Sequence, residues 1–146
     1  MALVYSYYVM DIYHDGHREM LENCRAVAGP EGLLVVGILT DHAVMERKRR
    51  PIQDFRQRVE TARSLKMVDL VVAQTSYSPL PNCRALKPDV LMESTSHKEE
   101  DIAEARRVLS EWGGRVMVIP YWPAESSTRI KHRIAGTDAG EAEEES

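Results

Sequence analysis

The sequence has little cysteine: Cys24 and Cys83 are the two among 146 residues. Two cysteines cannot build a disulfide framework, and such a low content is typical of a protein from a reducing cytoplasm. Long apolar runs are also missing, and none approaches the roughly 20 residues that a membrane helix needs. No basic residue precedes the apolar stretch near the first residue. We therefore expect a cytoplasmic protein with neither a signal peptide nor a membrane span.

An excess of basic charge is absent as well, since the net charge is −4. The acidic excess is concentrated in residues 136–146, which contain five acidic side chains and no basic one. Residues 1–135 then carry 19 basic against 18 acidic side chains. This near-neutrality argues against a general nucleic-acid-binding protein. We expect one folded domain over 1–135 and a disordered acidic tail over 136–146.

Hydrophobic residues make up 43% of the chain, which is enough for one core. Short apolar runs rich in β-branched or aromatic residues predict five buried strands, at 3–10, 33–39, 68–73, 88–92 and 115–119. Apolar residues three and four apart predict helices between them, at 17–27, 54–66 and 98–112. Apolar strands that alternate with helices are typical of an α/β domain in which helices cover both faces of a parallel sheet.

Ligands of such sheets bind beyond the carboxyl ends of the strands, and the segment MDIYHDGH occupies that position after the first strand. Gly16 lets a phosphate approach the backbone, and the helix that follows offers free N–H groups to an anion. His14 and His17 would donate hydrogen bonds to that phosphate, and neither lies at an apolar core spacing of the helix. Two alternatives are an exposed turn with incidental histidines, and a zinc site formed with Cys24.

Basic side chains follow the second strand as four consecutive residues, Arg47 to Arg50. They could hold the outer phosphates of a nucleotide, although an isolated basic run is more often a solvated loop. An RNA-binding interpretation would need interleaved aromatic residues, which are missing. Arg58 and Arg63 are five residues apart on one predicted helix and therefore point in different directions, so that one of them would reach the site.

A hydroxyl-rich segment, SSTR at 126–129, follows the last predicted strand. Ser126 and Ser127 are typical helix caps, and the backbone N–H groups of that helix start would form a second phosphate cradle. Capping alone is the simpler explanation of such a pair. Taken together, the two helix starts and the basic groups at one edge of the sheet favour a triphosphate as the ligand.

Four blocks of the sequence, in this order, resemble the small H-x-G-H nucleotidyltransferases, most closely the glycerol-3-phosphate cytidylyltransferase type. They are MDIYHDGH, VVGILTDHAV with its basic run, QRVETARSLKMVDLVV, and AESSTRIK. The resemblance implies a single Rossmann-like domain with a parallel five-stranded sheet. It also implies transfer of CMP from CTP to a small phosphate or phosphonate acceptor, with release of pyrophosphate. Mg²⁺ would enter with the nucleotide, and a homodimer is expected.

Carried over by motif, the resemblance implies that His14, His17 and Lys48 are catalytic and implies no metal-ligating residue. The nucleotide-binding residues would be Val9, Met10, Asp11, Gly16, Arg58, Arg63, Ser126, Ser127 and Thr128.

Three departures from the family pattern lie where the nucleotide or the acceptor should bind. Tyr8 replaces a usual glycine, Tyr121 replaces an arginine, and an acidic turn after the fourth strand reads ESTSH over 93–97. The residues expected near the acceptor are Tyr8, Asp41, Ser94, His97 and Tyr121. Residues 75–97 also resemble cytidylyltransferase domains of phosphonate pathways. Two alternatives stay open: an ATP-dependent adenylyltransferase of the same family, and an inactive nucleotide-binding module.

Overall fold

A computed structural model describes residues 1–120. The strands are β1 (Leu3–Tyr8), β2 (Leu33–Leu39), β3 (Leu70–Gln74), β4 (Val90–Ser94) and β5 (Arg115–Ile119). The helices are α1 (Asp15–Ala28), α2 (Asp41–Met45), α3 (Phe55–Arg63), α4 (Leu80–Leu86) and α5 (Glu99–Ser110). The predicted acidic tail, Tyr121, Ser126, Ser127 and Thr128 lie outside the described residues.

The five strands form one parallel sheet in the order β3-β2-β1-β4-β5. Apolar side chains from both faces of the sheet are buried. Tyr5, Tyr7 and Val9 pack in one core cluster with α4 and α5, while Val4 and Tyr8 pack in a second cluster with α1 and α3. The predicted five-stranded parallel sheet with helices on both faces is confirmed.

The order of the strands reverses between β1 and β4, and this junction opens toward the carboxyl ends. β1 pairs with β2 along all six of its residues, whereas it pairs with β4 only at Val4–Val90 and Tyr5–Leu91. Beyond Tyr5 the two strands therefore separate. A crevice of about 350 Å³ opens between residues 6–8 and residues 92–94. Ligand sites of open parallel sheets lie at such a switch point.

The predicted bounds of β2 and β5 agree with the structure, and β1, β3 and β4 differ by about two residues at one or both ends. The helices α2 and α4 were not predicted, since they span five and seven residues and are too short to show an apolar period. Within residues 1–120, the helices are all too short or too polar to cross a membrane.

Candidate active site at the carboxyl edge of the sheet

His14 is the N-cap of α1, with an extended backbone at φ −146° and ψ 178°. Its Nδ1 accepts a hydrogen bond of 3.0 Å from the backbone N–H of Gly16. Imidazole is an unusual cap, but it satisfies one of the free N–H groups of the first turn in the way that an Asn or Asp oxygen would. Because Nδ1 accepts, the proton of the neutral ring is on Nε2.

His17, one turn later, makes the reciprocal bond of the capping box. Its Nδ1 accepts a hydrogen bond of 3.2 Å from the backbone N–H of His14, so its ring proton is also on Nε2. The two ring centroids are 3.9 Å apart, and both rings line the crevice together with Gly16. The reciprocal bonds at the start of α1 thus fix both rings beside the crevice with the ring proton on Nε2, and both Nε2 atoms are buried.

The pKa of the His17 ring is held well below its usual value, first by burial and second by the neighbouring His14 ring. Tyr13 stacks on His17 at a centroid distance of 5.7 Å, and the edge of Tyr8 meets it at 6.1 Å. The sequence-based expectation that His17 lies off the core face of its helix is wrong. His17 is 4% exposed and shares the buried face of α1 with Leu21.

Tyr8 forms part of the crevice wall, and its hydroxyl points to the core. This hydroxyl accepts a hydrogen bond of 2.7 Å from Ser6 and lies 3.7 Å from Sγ of Cys24. Tyr8, which stands where the resembling family usually has glycine, therefore packs against the ring of His17. Cys24 is fully buried in the same core cluster, and residues 1–120 contain no group of three or more metal-ligating side chains.

The loop that carries His14 is held by a second loop. The carboxylate of Asp11 accepts hydrogen bonds of 2.8 and 2.9 Å from the backbone N–H groups of Ile52 and Gln53. The side chain of Gln53 in turn accepts from the backbone N–H of Ile12 at 2.9 Å. Met10 and Ile12 have positive φ angles of 56° and 60°, which is uncommon without glycine and needs such support.

Arg58, predicted to bind nucleotide, is fully buried and holds the scaffold together. Its guanidinium donates to the carbonyls of Val9 at 2.8 Å and Leu39 at 2.7 Å, and to the carboxylate of Asp41 at 2.6 Å. A further bond of 3.1 Å reaches the carbonyl of Gln53. Arg58 therefore joins α3 to the segments that follow β1 and β2, and it positions the site rather than lining it.

Other predicted residues also lie away from the openings. Arg63 is exposed at the last turn of α3, which runs toward the amino edge of the sheet. Arg58 and Arg63 do point in different directions, as their spacing predicts. The backbone of Met10 and the carboxylates of Asp11 and Asp41 support the loops described above, and none of these three residues lines either cavity.

Lys48 lines a second cavity of about 690 Å³ that adjoins the crevice. It is half-buried, whereas Arg47, Arg49 and Arg50 are exposed. Arg47 lies over the ring of Tyr77 at 4.8 Å from its centroid and forms an ion pair of 3.1 Å with Asp101 of α5. Of the basic run, three side chains therefore line this cavity: Arg47, Lys48 and Arg49.

The wall between the crevice and this basic cavity is formed by Tyr7, Glu93 and His97, which line both. Burial and the neighbouring Glu93 carboxylate raise the pKa of Tyr7 well above its usual value, so its hydroxyl keeps its proton and donates to Glu93 at 3.1 Å. His97 was expected near the acceptor, while Tyr7 and the Glu93 carboxylate were not predicted. Tyr7 and Glu93 each lie within a predicted strand, and the pattern of a single strand does not show which side chain of another strand it will contact.

Ser94 lines the crevice beside this wall, and its hydroxyl lies 2.5 Å from that of Ser96. The backbone N–H of His97 donates to the carbonyl of Ser94 at 3.2 Å, which closes the turn after β4 and brings the imidazole back to the strand. The structure thus brings together His14, Gly16, His17, Tyr8, Ser94 and His97 at one crevice.

The sequence is similar to a known protein family and to curated proteins. The family model described as cytidylyltransferase-like matches residues 9–133. The bifunctional protein HldE of Acidiphilium cryptum is 37% identical over 126 residues, which are 85% of this chain and 25% of that protein. HldE of Gluconobacter oxydans is 34% identical over 122 residues, 82% of this chain and 25% of that protein. The chain therefore spans about a quarter of the length of these relatives.

A solved structure confirms the fold. The lipopolysaccharide core biosynthesis protein from Thermoplasma volcanium superposes with a TM-score of 0.69 at 24% sequence identity. The superposition covers 84% of this chain and 97% of that one.

Proposed function

This chain belongs to the cytidylyltransferase-like family, and from that premise we propose that it transfers CMP from CTP to a small acceptor that carries a phosphate or phosphonate group. Pyrophosphate is the other product. In the reaction an acceptor oxygen forms a bond to the α-phosphorus of CTP, and the bond from that phosphorus to the bridging oxygen of pyrophosphate breaks. The acceptor supplies the nucleophile, so no covalent enzyme intermediate is required.

The observation that carries the proposal is the pair of Nε2–H donors of His14 and His17 at the start of α1. Phosphoryl-type transfer is catalysed mainly by positioning and by stabilising the charge that develops on the equatorial oxygens. Two oriented donors in a partly buried crevice meet that requirement, and the N-terminal end of α1 adds its dipole. Because the pKa of His17 is depressed, its ring stays neutral. A neutral buried N–H donor has no hydration shell to lose when a phosphate binds.

The remaining phosphate contacts come from the basic cavity next to the crevice. Lys48 reaches into it from the segment after α2, and Arg47 and Arg49 line the same wall. Compact ammonium and planar guanidinium groups both bind phosphate oxygens. Ser126, Ser127 and Thr128, which we also propose as phosphate contacts, lie outside the described residues.

Mg²⁺ enters as part of the substrate, bound to the phosphates of the nucleotide. Mg²⁺ needs few protein ligands, since it keeps several waters and is held largely by substrate phosphates. Residues 1–120 offer no group of three carboxylates for the ion, and the carboxylate of Asp11 already accepts two backbone N–H groups. We therefore propose that the ion arrives with the nucleotide.

The test is release of pyrophosphate from CTP or ATP in the presence of Mg²⁺. Acceptors would be glycerol 3-phosphate, a hexose phosphate, inorganic phosphate and methylphosphonate. We expect acceptor-dependent turnover that is faster with CTP. ATP as the better donor would make the enzyme an adenylyltransferase. Binding of nucleotide without turnover on any acceptor would identify an inactive module and would overturn the proposal.

A further inference from the structure

His97 is a third histidine at the crevice, and its hydrogen bonds orient it differently from His14 and His17. Its Nδ1 lies 3.1 Å from Oε1 of Glu93 and 3.1 Å from the hydroxyl of Tyr7. The hydroxyl of Tyr7 donates its proton to Oε2 of Glu93. The Glu93 side chain is 2% exposed and that of His97 is 11% exposed, so this cluster is largely shielded from water.

These contacts determine which nitrogen of His97 carries the proton. Oε1 of Glu93 is an acceptor, and the proton of Tyr7 is already directed at Oε2, so Nδ1 of His97 must donate. In the neutral ring the lone pair is then on Nε2. At His14 and His17 the assignment is the reverse, because their Nδ1 atoms accept. The crevice thus has two N–H donors on α1 and one basic nitrogen on the opposite wall.

Nε2 of His97 is buried and has no hydrogen-bond partner among residues 1–120. An unpartnered buried nitrogen is unfavourable, because it has lost its hydration without gaining a hydrogen bond, and such a group in a native protein calls for an explanation. A purely structural role would be complete with the bonds of Nδ1. The free position at Nε2 therefore points to a ligand that brings its own proton.

We infer that His97 is the general base of the reaction, and that its Nε2 removes the proton from the phosphate or phosphonate group of the acceptor, which binds against the wall that the crevice and the basic cavity share. This inference rests on the proposed function. The proton moves from the acceptor's P–OH to Nε2 as the acceptor oxygen attacks the α-phosphorus. Glu93 then faces an imidazolium, which its carboxylate stabilises. Pyrophosphate takes the electron pair of the broken bond, and His97 afterwards returns the proton to solvent.

Charged groups from several elements face the wall and the two openings beside it. Glu93 faces the cluster from β4, and Asp101 and Glu104 line the basic cavity from α5. Four positively charged side chains line the same cavity: Arg47, Lys48, Arg49 and Lys98. The uncharged Tyr7 and Tyr77 line it as well. On the crevice side are Glu19 and the rings of His14 and His17. A monoanionic acceptor meets less repulsion from Glu93 and the triphosphate than a dianion does, and it becomes a dianion only as it reacts.

The first experiment reads the tautomer directly in the whole protein. Nitrogen-15 NMR of the histidine rings should show His97 as the Nδ1–H tautomer, and His14 and His17 as the Nε2–H tautomer. Adding methylphosphonate with Mg²⁺ and a non-hydrolysable CTP analogue should shift the Nε2 resonance of His97 toward the protonated form. An Nε2–H tautomer of His97, or no change on addition, would overturn the inference whatever the turnover assays show.

The second experiment compares two variants that differ in what they keep. His97→Asn retains a donor toward Glu93 and removes Nε2, while His97→Gln retains a polar group near Nε2 that cannot take a proton. We expect both variants to lose about 10²–10⁴-fold in kcat with methylphosphonate at pH 6. At higher pH the rate should recover, because solvent then supplies the dianion. The wild type should vary much less with pH over this range.

His42→Asn is the matched control, since His42 is exposed on α2 and lines neither cavity. It should keep the wild-type rate and pH profile. Normal turnover by His97→Gln would show that a hydrogen bond is sufficient and would overturn the base assignment. A loss of kcat that is the same at every pH would assign His97 a positioning role and would also overturn it. In both cases wild-type nucleotidyl transfer stands, so the two proposals fail separately.

Discussion

His14 and His17 each use Nδ1 in the capping box at the start of α1 and carry the ring proton on Nε2, and both rings line the crevice. This division allows a substitution that separates the two roles. Asn places an oxygen close to the position of Nδ1, and it is among the best N-cap residues. His14→Asn therefore keeps the N-cap of α1. In His17→Asn, at the third residue of the helix, the new oxygen can accept the same bond from the backbone N–H of His14, and both variants remove an Nε2–H donor.

We expect either variant to lower kcat about 10²–10³-fold, since a donor directed at developing charge contributes roughly 3–4 kcal/mol. The Kd of the nucleotide should change much less, because in the proposed function Lys48 and the helix start bind the ground state as well. Steady-state kinetics and calorimetry measure both quantities. Near-normal turnover in both variants would remove the catalytic assignment.

Burial of His17 also makes the stability of the fold depend on pH. Its pKa is well below normal in the folded state, so below about pH 6.5 the unfolded chain takes up a proton that the folded chain does not. The free energy of unfolding should therefore fall as the pH is lowered, by up to about 1.4 kcal/mol per unit from this group. The loss should end at the folded-state pKa.

Urea unfolding of the wild type and of His17→Asn between pH 5 and pH 8 would measure this dependence. The difference in unfolding free energy between the two should be constant above pH 7 and should shift in favour of the variant at lower pH. Parallel curves for both proteins would show that His17 titrates normally in the folded state. His42→Asn again serves as the control and should follow the wild type.

At the scale of single elements, α3 is fixed by one buried side chain. Arg58 donates to two carbonyls after β1 and β2 and to Asp41. Arg58→Met would leave these acceptors and a carboxylate unpaired, and loss of one partner of a buried ion pair destabilises by about 3–5 kcal/mol. Arg63→Met, on the same helix, should change stability by less than about 0.5 kcal/mol. Denaturant titration of the pair checks this, and equal stabilities would contradict the scaffold role.

The elements also show what the sequence allows one to predict. The strands β2 and β5 could be placed to the residue, because continuous apolar runs are bounded there by glycine or polar residues. The helix α2 could not, since its five residues depend on a cap by Thr40, whose hydroxyl accepts from Ala43 at 3.1 Å. The motif at His14 and His17 was recognisable as a local pattern. The Glu93–Tyr7 contact joins residues 86 apart, and no local pattern encodes it.

Because local patterns do not encode tertiary contacts, the sequence also could not show which of Arg58 and Arg63 is buried. The spacing of Arg58 and Arg63 predicts correctly that they point apart, but not which one faces the interior. That depends on carbonyl groups of Val9 and Leu39, whose positions follow from the pairing of β1 with β2. A buried arginine and a ligand-binding arginine look alike in sequence. Only the tertiary contacts distinguish them.

For the molecule as a whole, the separation of β1 and β4 organises the site. Pairing stops after Tyr5 and Leu91, so the carboxyl halves of both strands have room for a ligand between them. One side of the crevice receives the start of α1, and the other receives the turn that holds His97. The basic cavity adjoins this wall from the side of α2 and α5. The two openings therefore share one wall, formed by Tyr7, Glu93 and His97.

A ligand that binds only the folded state should stabilise the whole domain. At a free concentration of 100 times its Kd, a nucleotide adds about 2.7 kcal/mol. For a domain of this size that corresponds to a rise in Tm of about 5–10 °C. We expect Mg²⁺–CTP to produce the larger shift, as the proposed function requires, and Mg²⁺–ATP a smaller one at equal concentration. Thermal unfolding at several concentrations of each nucleotide yields both Kd values.

Two variants, Lys48→Gln and His14→Asn, show which side chains produce the rise in Tm on nucleotide binding. Lys48→Gln should reduce the shift with either nucleotide, because we propose that the ammonium of Lys48 binds phosphate in the ground state. His14→Asn should keep most of the shift while kcat falls about 10²–10³-fold, since we propose that its donor acts mainly in the transition state. A larger shift with ATP would make adenylyl transfer the activity to pursue. No shift with either nucleotide, at millimolar concentration and with Mg²⁺ present, would contradict nucleotide binding at this edge of the sheet.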